Sequence, residues 1–174
     1  MTKVKKLLFC VLAGFSVLML SSCTRPPSES ESETGVRPNL PAPQFKLPDL
    51  GGQLVSLDQF KGKIVMLDFW ATWCGPCRMT MPLLESLERE FPNDMTLLAI
   101  NLEDTRDVVR DYVRTQSVRS RVLLDEEGTV GIKYGAAEIP MQVLIDRHGV
   151  VRLIQRGFGV NTISQLREQI KKLR

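Results

Sequence analysis

The sequence predicts a mixed α/β fold, helices flanking one central sheet. Three observations carry that expectation. Ile64–Trp70 is apolar except for Asp68, the pattern of a strand buried on both faces. Strand-like and helix-like segments then alternate through the middle of the chain. Two strand patterns across Arg147-His148-Gly149 and a closing amphipathic helix complete it.

Taken in order, Phe45–Leu47 and Gln53–Ser56 flank Asp49-Leu50-Gly51-Gly52, an N-terminal hairpin signal. Leu57–Phe60 has room for one helical turn. Pro76–Phe91 reads as a helix with Leu83, Leu84 and Leu87 on one face, and Met95–Asn101 is a second buried strand. Arg106–Gln116 is helical, with Val109 and Val113 four apart. Arg121–Leu124 fits a strand and Gly128–Tyr134 a short helix. Gln142–Asp146 and Val150–Gln155 are strands joined by a tight turn. Thr162–Leu173 closes the chain as a helix with Ile163, Leu166, Ile170 and Leu173 facing inward. No internal repeat is present.

The 174 residues suit one domain with short extras. Apolar residues at 43% and charged residues at 25% exclude wholesale disorder and a multi-span membrane protein. Of the formal charge of +3, Lys3, Lys5 and Lys6 supply all the excess; residues 23–174 hold 20 basic and 20 acidic residues. That balance argues against a nucleic-acid partner. Behind the three lysines, Leu7–Leu20 forms an apolar run of 14 residues, short of the roughly 20 that span a bilayer. Basic flank, short apolar core and small residues mark residues 1–22 as an export signal. Leu20-Ser21-Ser22-Cys23 resembles a bacterial lipobox, which implies that Cys23 becomes the lipidated first residue of the mature chain. Residues 23–38, rich in Ser, Glu and Pro, are expected to form a flexible tether, and residues 39–174 the folded domain. The expected location is the bacterial cell envelope, lipid-anchored to a membrane, with the domain facing periplasm or exterior.

With Cys10 removed in the leader and Cys23 lipidated, Cys74 and Cys77 remain. An exported compartment permits disulfides, but two cysteines three positions apart close too small a loop to staple a fold. Their purpose is chemistry. Trp73-Cys74-Gly75-Pro76-Cys77 sits where a buried strand becomes a helix. There Cys74 meets free N–H groups and the positive end of the helix dipole, which stabilise a thiolate. Pro76 suits the first turn because its missing N–H would be unpaired there anyway. Gly75 lets another backbone come close. A structural zinc site needs four ligands, whereas the domain offers two cysteines and His148, itself in a turn; no metal and no cofactor are expected.

Asp68-Phe69-Trp70-Ala71-Thr72-Trp73-Cys74-Gly75-Pro76-Cys77 resembles the active-site stretch of thioredoxins almost position for position. Pro82 matches the proline that kinks their active-site helix. Ile139-Pro140 matches their cis-proline loop, and Gly157 a glycine near the same surface. The resemblance runs from about Asn39 to the carboxyl end and implies a thioredoxin-like fold. The stretch from Cys77 to Pro140 exceeds that of a minimal thioredoxin and leaves room for a central helix–strand insertion. Ala42-Pro43-Gln44-Phe45 and Leu57-Asp58-Gln59-Phe60-Lys61-Gly62-Lys63 are similar to the membrane-anchored TlpA/ResA group. That group acts outside the cytoplasm on protein thiols and disulfides, often in cytochrome c maturation. Two positions depart from the pattern: Asp68, where that group often has Asn, and Met141, where most relatives have Thr. Met141 fits either a more apolar groove or plain packing.

The resemblance implies a thiol–disulfide oxidoreductase that reduces protein disulfides. Cys74 would attack a substrate disulfide, and Cys77 would then resolve the mixed disulfide and leave Cys74–Cys77 oxidised. Asp68 is expected to be buried, with a raised pKa, and to accept the Cys77 proton. Trp73 would cover one side of the site. Gly75, Pro76, Ile139 and Pro140 would meet an extended substrate segment. The expected partners are protein disulfides and an electron-donor thiol protein, with the chain itself a monomer. Two rivals fit less well. A peroxiredoxin-like thiol peroxidase carries Thr-x-x-Cys, whereas Thr72 stands two places before Cys74. A metal-delivery module of the same fold carries Cys-x-x-x-Cys and a dedicated His, and neither pattern is present.

Overall fold

The computed structural model describes residues 35–174; the leader and Cys23 lie outside the described residues. A hairpin of β1 (Lys46–Pro48) and β2 (Leu54–Ser56) leads into a 3-10 turn at Leu57–Phe60. There follow β3 (Ile64–Trp70), α1 (Gly75–Glu90), β4 (Met95–Leu102), α2 (Arg106–Gln116), β5 (Arg121–Asp125), α3 (Thr129–Tyr134), β6 (Met141–Ile145), β7 (Val151–Arg156) and α4 (Thr162–Leu173). Each expected element is present, with its ends moved by about one residue, the ordinary scatter of element boundaries.

Five strands form a mixed sheet in the order β5-β4-β3-β6-β7. β3 pairs in parallel with β4 and antiparallel with β6, and is the middle strand. All seven of its residues are buried, which accounts for a run apolar at every position but Asp68: a strand covered on both faces has no solvent side. Between β4 and β6, α2 and β5 are the additional helix and strand that the chain length left room for. β5 runs parallel to β4 and takes one edge of the sheet.

Strand alternation divides the core. Val65, Leu67 and Phe69 join Phe45 and Val55 from the hairpin and Tyr134 of α3. Ile64 and Met66 face the other way, into Leu84 and Leu87 of α1 and Leu166 and Ile170 of α4. Farther along that second face, Trp70 packs with Cys74, Cys77 and Met81. Each fully buried side chain of this size contributes about 1.5–3 kcal/mol, so β3 holds the strand-to-helix junction firmly from below. Leu83 does not belong to the inner face of α1. It is exposed, while Cys77, Thr80, Met81, Leu84 and Leu87 are buried, because the i, i+3, i+4, i+7 stripe that starts at Cys77 passes through Leu84 and skips position 83.

Candidate active site

The site forms where β3 gives way to α1. Cys74 has an extended backbone and caps α1, with Gly75 and Pro76 opening the first turn. Its sulfur is bonded to that of Cys77, with an S–S distance of 2.05 Å and Cα atoms 5.3 Å apart. The Cys77 N–H donates to Cys74 Sγ at 3.2 Å. That donor and the positive end of α1 both favour negative charge on Cys74 once the pair is reduced. Both cysteines are buried, Cys74 at 4% exposure and Cys77 at 1%, so Cys74 is the less covered residue of the pair.

An acid at the far end of β4 fixes the approach to the cysteines. Asp104 Oδ2 accepts the Thr72 N–H at 2.7 Å and Asn101 Nδ2 at 2.9 Å. On the other side stands Pro140. The β3–β6 register pairs Phe69 with Met141, which brings Pro140 to the carboxyl end of β3. The Ile139–Pro140 bond is cis, as the resemblance to thioredoxins implied. Gly157 N–H donates to Pro140 O at 2.9 Å, so the glycine does lie against this loop. Ile139 is half-buried between two of the core clusters.

Trp73 stands out from the surface, 70% exposed. It forms one wall of a groove of about 330 Å3 that continues past Leu102, Ile132, Ala136 and Ile139 and carries Glu103. Beside this groove Gly131 lets α3 pack close against β4: a Cβ there would stand 2.9 Å from Leu102 Cδ2. Trp73 thus borders the site as a wall beside an open trough. Trp70 is the buried tryptophan, packed at 5.1 Å against Tyr112.

Asp68 is fully buried. Alternation along β3 puts it on the α1 face, between Met66 and Trp70. Gln142 Nε2 donates to its Oδ1 at 2.8 Å, while its Oδ2 has no partner. Loss of water pushes its pKa up to about 7, and the Gln142 bond pulls the other way. Among the described residues, no three His, Cys, Asp or Glu side chains form a group able to hold a metal ion. The arrangement offers an exchangeable sulfur pair at a helix start, an open flank for an extended chain, and a carboxyl that titrates near neutral pH.

The profile of the AhpC/TSA family matches residues 38–154. The chain belongs to the AhpC/TSA family. Within it, the chain is 34% identical over 152 residues to thioredoxin-like protein YneN of Bacillus subtilis, covering 84% of this chain and 89% of that one. It is 35% identical over 133 residues to thiol-disulfide oxidoreductase ResA of Bacillus thuringiensis, covering 76% of each. Among solved structures, a Chlorobium tepidum protein carrying the name thiol:disulfide interchange protein DsbE superposes with a TM-score of 0.75 at 31% identity, over 80% of this chain and 99% of that one. This AhpC/TSA protein is a thiol–disulfide oxidoreductase with a thioredoxin-like fold, as its cysteine motif led one to expect.

Three polar residues of this AhpC/TSA domain escape its sequence pattern. Asp104 and Gln142 act on the active-site strand and loop, and Glu85 on α1 accepts the Arg119 and Ser120 N–H groups at 2.6 and 2.9 Å. Each works across a long sequence separation and lacks a periodic signal. Met141 resolves in favour of packing. It is fully buried with Phe69 and Tyr134, and its sulfur lies 3.0 Å from Arg156 Nη1.

Proposed function

We propose that the protein is a lipid-anchored, extracytoplasmic reductase of protein disulfides, working through Cys74 and Cys77. The observation that carries this reading is the Cys74–Cys77 pair at the start of α1, with Cys74 the less buried residue of the two. The names of the ResA and DsbE relatives support the reaction class, and the leader with Cys23 supports export and anchorage.

Cys74 thiolate attacks one sulfur of the substrate disulfide; a Cys74–substrate bond forms and the other substrate sulfur leaves as a thiolate. Cys77 then gives its proton to Asp68 and attacks Cys74 Sγ. The Cys74–Cys77 bond forms, the mixed disulfide breaks, and the substrate leaves with both sulfurs reduced. A second thiol protein returns the two electrons. Trp73 and Ile139 hold the apolar neighbours of the substrate cysteine. Gly75 and Pro76 leave the approach to Cys74 clear, and the backbone before Pro140 pairs with the extended substrate chain. Apocytochrome c, whose haem-binding cysteines must be reduced, is the first substrate class to try.

Cys77→Ala stops the second step and retains substrate on Cys74. Expressed in bacteria with its leader, this variant is expected to capture exported proteins bearing cysteine pairs, in complexes that dissolve with reductant. Reduced wild-type protein is expected to reduce those same partners. Capture by a Cys74→Ala, Cys77→Ala double variant to the same extent overturns the reading.

A further inference from the structure

A glutamine has no packing reason to occupy position 142. β6 is buried from Met141 to Ile145, and the next residue on the same face, Leu144, packs into the core below α1. A leucine at 142 would bring no polar atom of its own to satisfy, but it would take the donor away from Asp68 Oδ1. Gln142 instead leaves its Oε1 buried without a partner, a state that costs about 1–3 kcal/mol, and aims Nε2 at Asp68 Oδ1, 2.8 Å away. The β3–β6 register sets the two directly opposite each other.

Nothing else on that face offsets the charge of Asp68. Its β4 neighbour in register is Ala99, and Leu97 and Asn101 flank it there. β6 gives Gln142 and Leu144, and β7 gives Gln155 opposite Gln142. α4 buries Thr162, Leu166 and Ile170. α1 turns three titratable side chains toward the sheet, Cys77, Glu85 and Glu88, and Glu88 is taken up by the Leu97 N–H at 2.7 Å. Glu85 is occupied with Arg119 and Ser120. Among the described residues, Gln142 is thus the one donor to a carboxylate in a dry environment.

We propose that Gln142 is the positioning residue that keeps Asp68 ionisable at neutral pH, and so ready to take the proton of Cys77. Asp68 must be a carboxylate before it can accept that proton. An amide hydrogen bond to the charged form holds the carboxylate within reach of neutral pH. Without it, Asp68 keeps its own proton and Cys77 stays a thiol during resolution of the mixed disulfide. The kinetic half of the proposal rests on the reading of Asp68 as proton acceptor; the half concerning proton affinity does not.

The test has two readouts on Gln142→Leu and on Gln142→Met, which differ in shape and both lack the amide. The first is the carboxyl 13C titration of Asp68, assigned by its disappearance in Asp68→Asn. Its midpoint is expected to rise by about one pH unit or more, a tenfold gain in proton affinity, the scale of one lost bond to a charged group. The second is the pH profile of resolution, the attack of Cys77 on a preformed mixed disulfide. It is expected to slow about tenfold near neutral pH and to recover at higher pH, while the first attack by Cys74 is unchanged. A midpoint that stays or falls overturns the proposal whatever the kinetics. A raised midpoint with an unmoved resolution profile leaves Gln142 in its place beside Asp68 and removes Asp68 from the mechanism. If neither variant folds, the wild-type protein decides. The Gln142 side-chain amide signal is expected to shift with the midpoint of Asp68, and an amide signal that stays constant through that titration overturns the proposal.

Discussion

Asp104 Oδ2 holds the Thr72 backbone N–H at 2.7 Å, tying the residue two places before Cys74 to the end of β4. The same oxygen receives Asn101 Nδ2 at 2.9 Å. One carboxylate therefore sets the loop that delivers the first cysteine to the start of α1. Truncation to alanine strands two donors, at about 1–3 kcal/mol for a buried one. Asp104→Ala is expected to lose stability in that range by chemical denaturation. Its exchange rate with a synthetic disulfide, measured where the variant is fully folded, is expected to fall several-fold. Wild-type stability together with a wild-type rate would show that the tie does not hold the loop.

Glu85 does comparable work away from the chemistry. Its Oε1 accepts the Arg119 N–H at 2.6 Å, the Ser120 N–H at 2.9 Å and Ser120 Oγ at 2.9 Å. These bonds pin the segment before β5 to α1. Glu85→Ala is expected to cost about 2–4 kcal/mol, because several buried donors lose one acceptor together. Disulfide exchange by the folded fraction is expected to stay within about twofold of wild type, since Glu85 stands about two helical turns beyond Cys77 along α1. A large loss of rate at full folding would place Glu85 in the active-site support.

Anchorage gives a test of a different kind. Cys23→Ala removes the acceptor of the lipid while leaving the domain unchanged. A single acyl chain binds membranes only marginally, and stable attachment takes two, so the diacylated cysteine would carry the attachment. The variant is expected in the soluble fraction of a cell-envelope preparation, with exchange activity intact. Recovery in the membrane fraction after a high-salt wash would end the lipoprotein reading.

Much of the fold is legible in the sequence because its signals are local. The nearly continuous apolar run Ile64–Trp70 marks the central strand, and the helix stripe through Leu84 and Leu87 marks α1. Cys74 and Cys77, three apart at the strand-to-helix junction, mark the chemistry outright. The parts that stay hidden are pairings between distant polar residues: Glu85 with Ser120, Thr72 with Asp104, and Asp68 with Gln142, which lie 35, 32 and 74 positions apart. A lone acid in an apolar strand announces burial, but its partner is set by strand register, which hydrophobic patterning alone does not reveal. Met141 shows the same limit. Its position beside Pro140 suggested a place in the groove as readily as one in the core, and alternation along β6 turns it to the core.

The burial of Asp68 also makes the stability of the domain depend on pH. In the folded chain its carboxyl is pushed up to about 7, against 3.8 for an unperturbed group. Between those two values the folded state holds the proton that the unfolded state has released. Stability therefore falls as pH rises through this window and levels off above about pH 7. A shift of about three pH units corresponds to roughly 4 kcal/mol; a gain of about 2–4 kcal/mol is thus expected at pH 8 for a variant free of the charge. Asp68→Asn is that variant, since it keeps an oxygen for Gln142 Nε2 and replaces the ionisable oxygen by an amide nitrogen. Denaturation of the oxidised protein across pH 4 to 8 is expected to show the variant more stable at the alkaline end. The difference should shrink toward pH 4, where the wild-type carboxyl is neutral as well. A constant difference across that range would mean that Asp68 does not change charge within it. A variant less stable than wild type at pH 8 would mean that the fold compensates the carboxylate by more than the Gln142 bond.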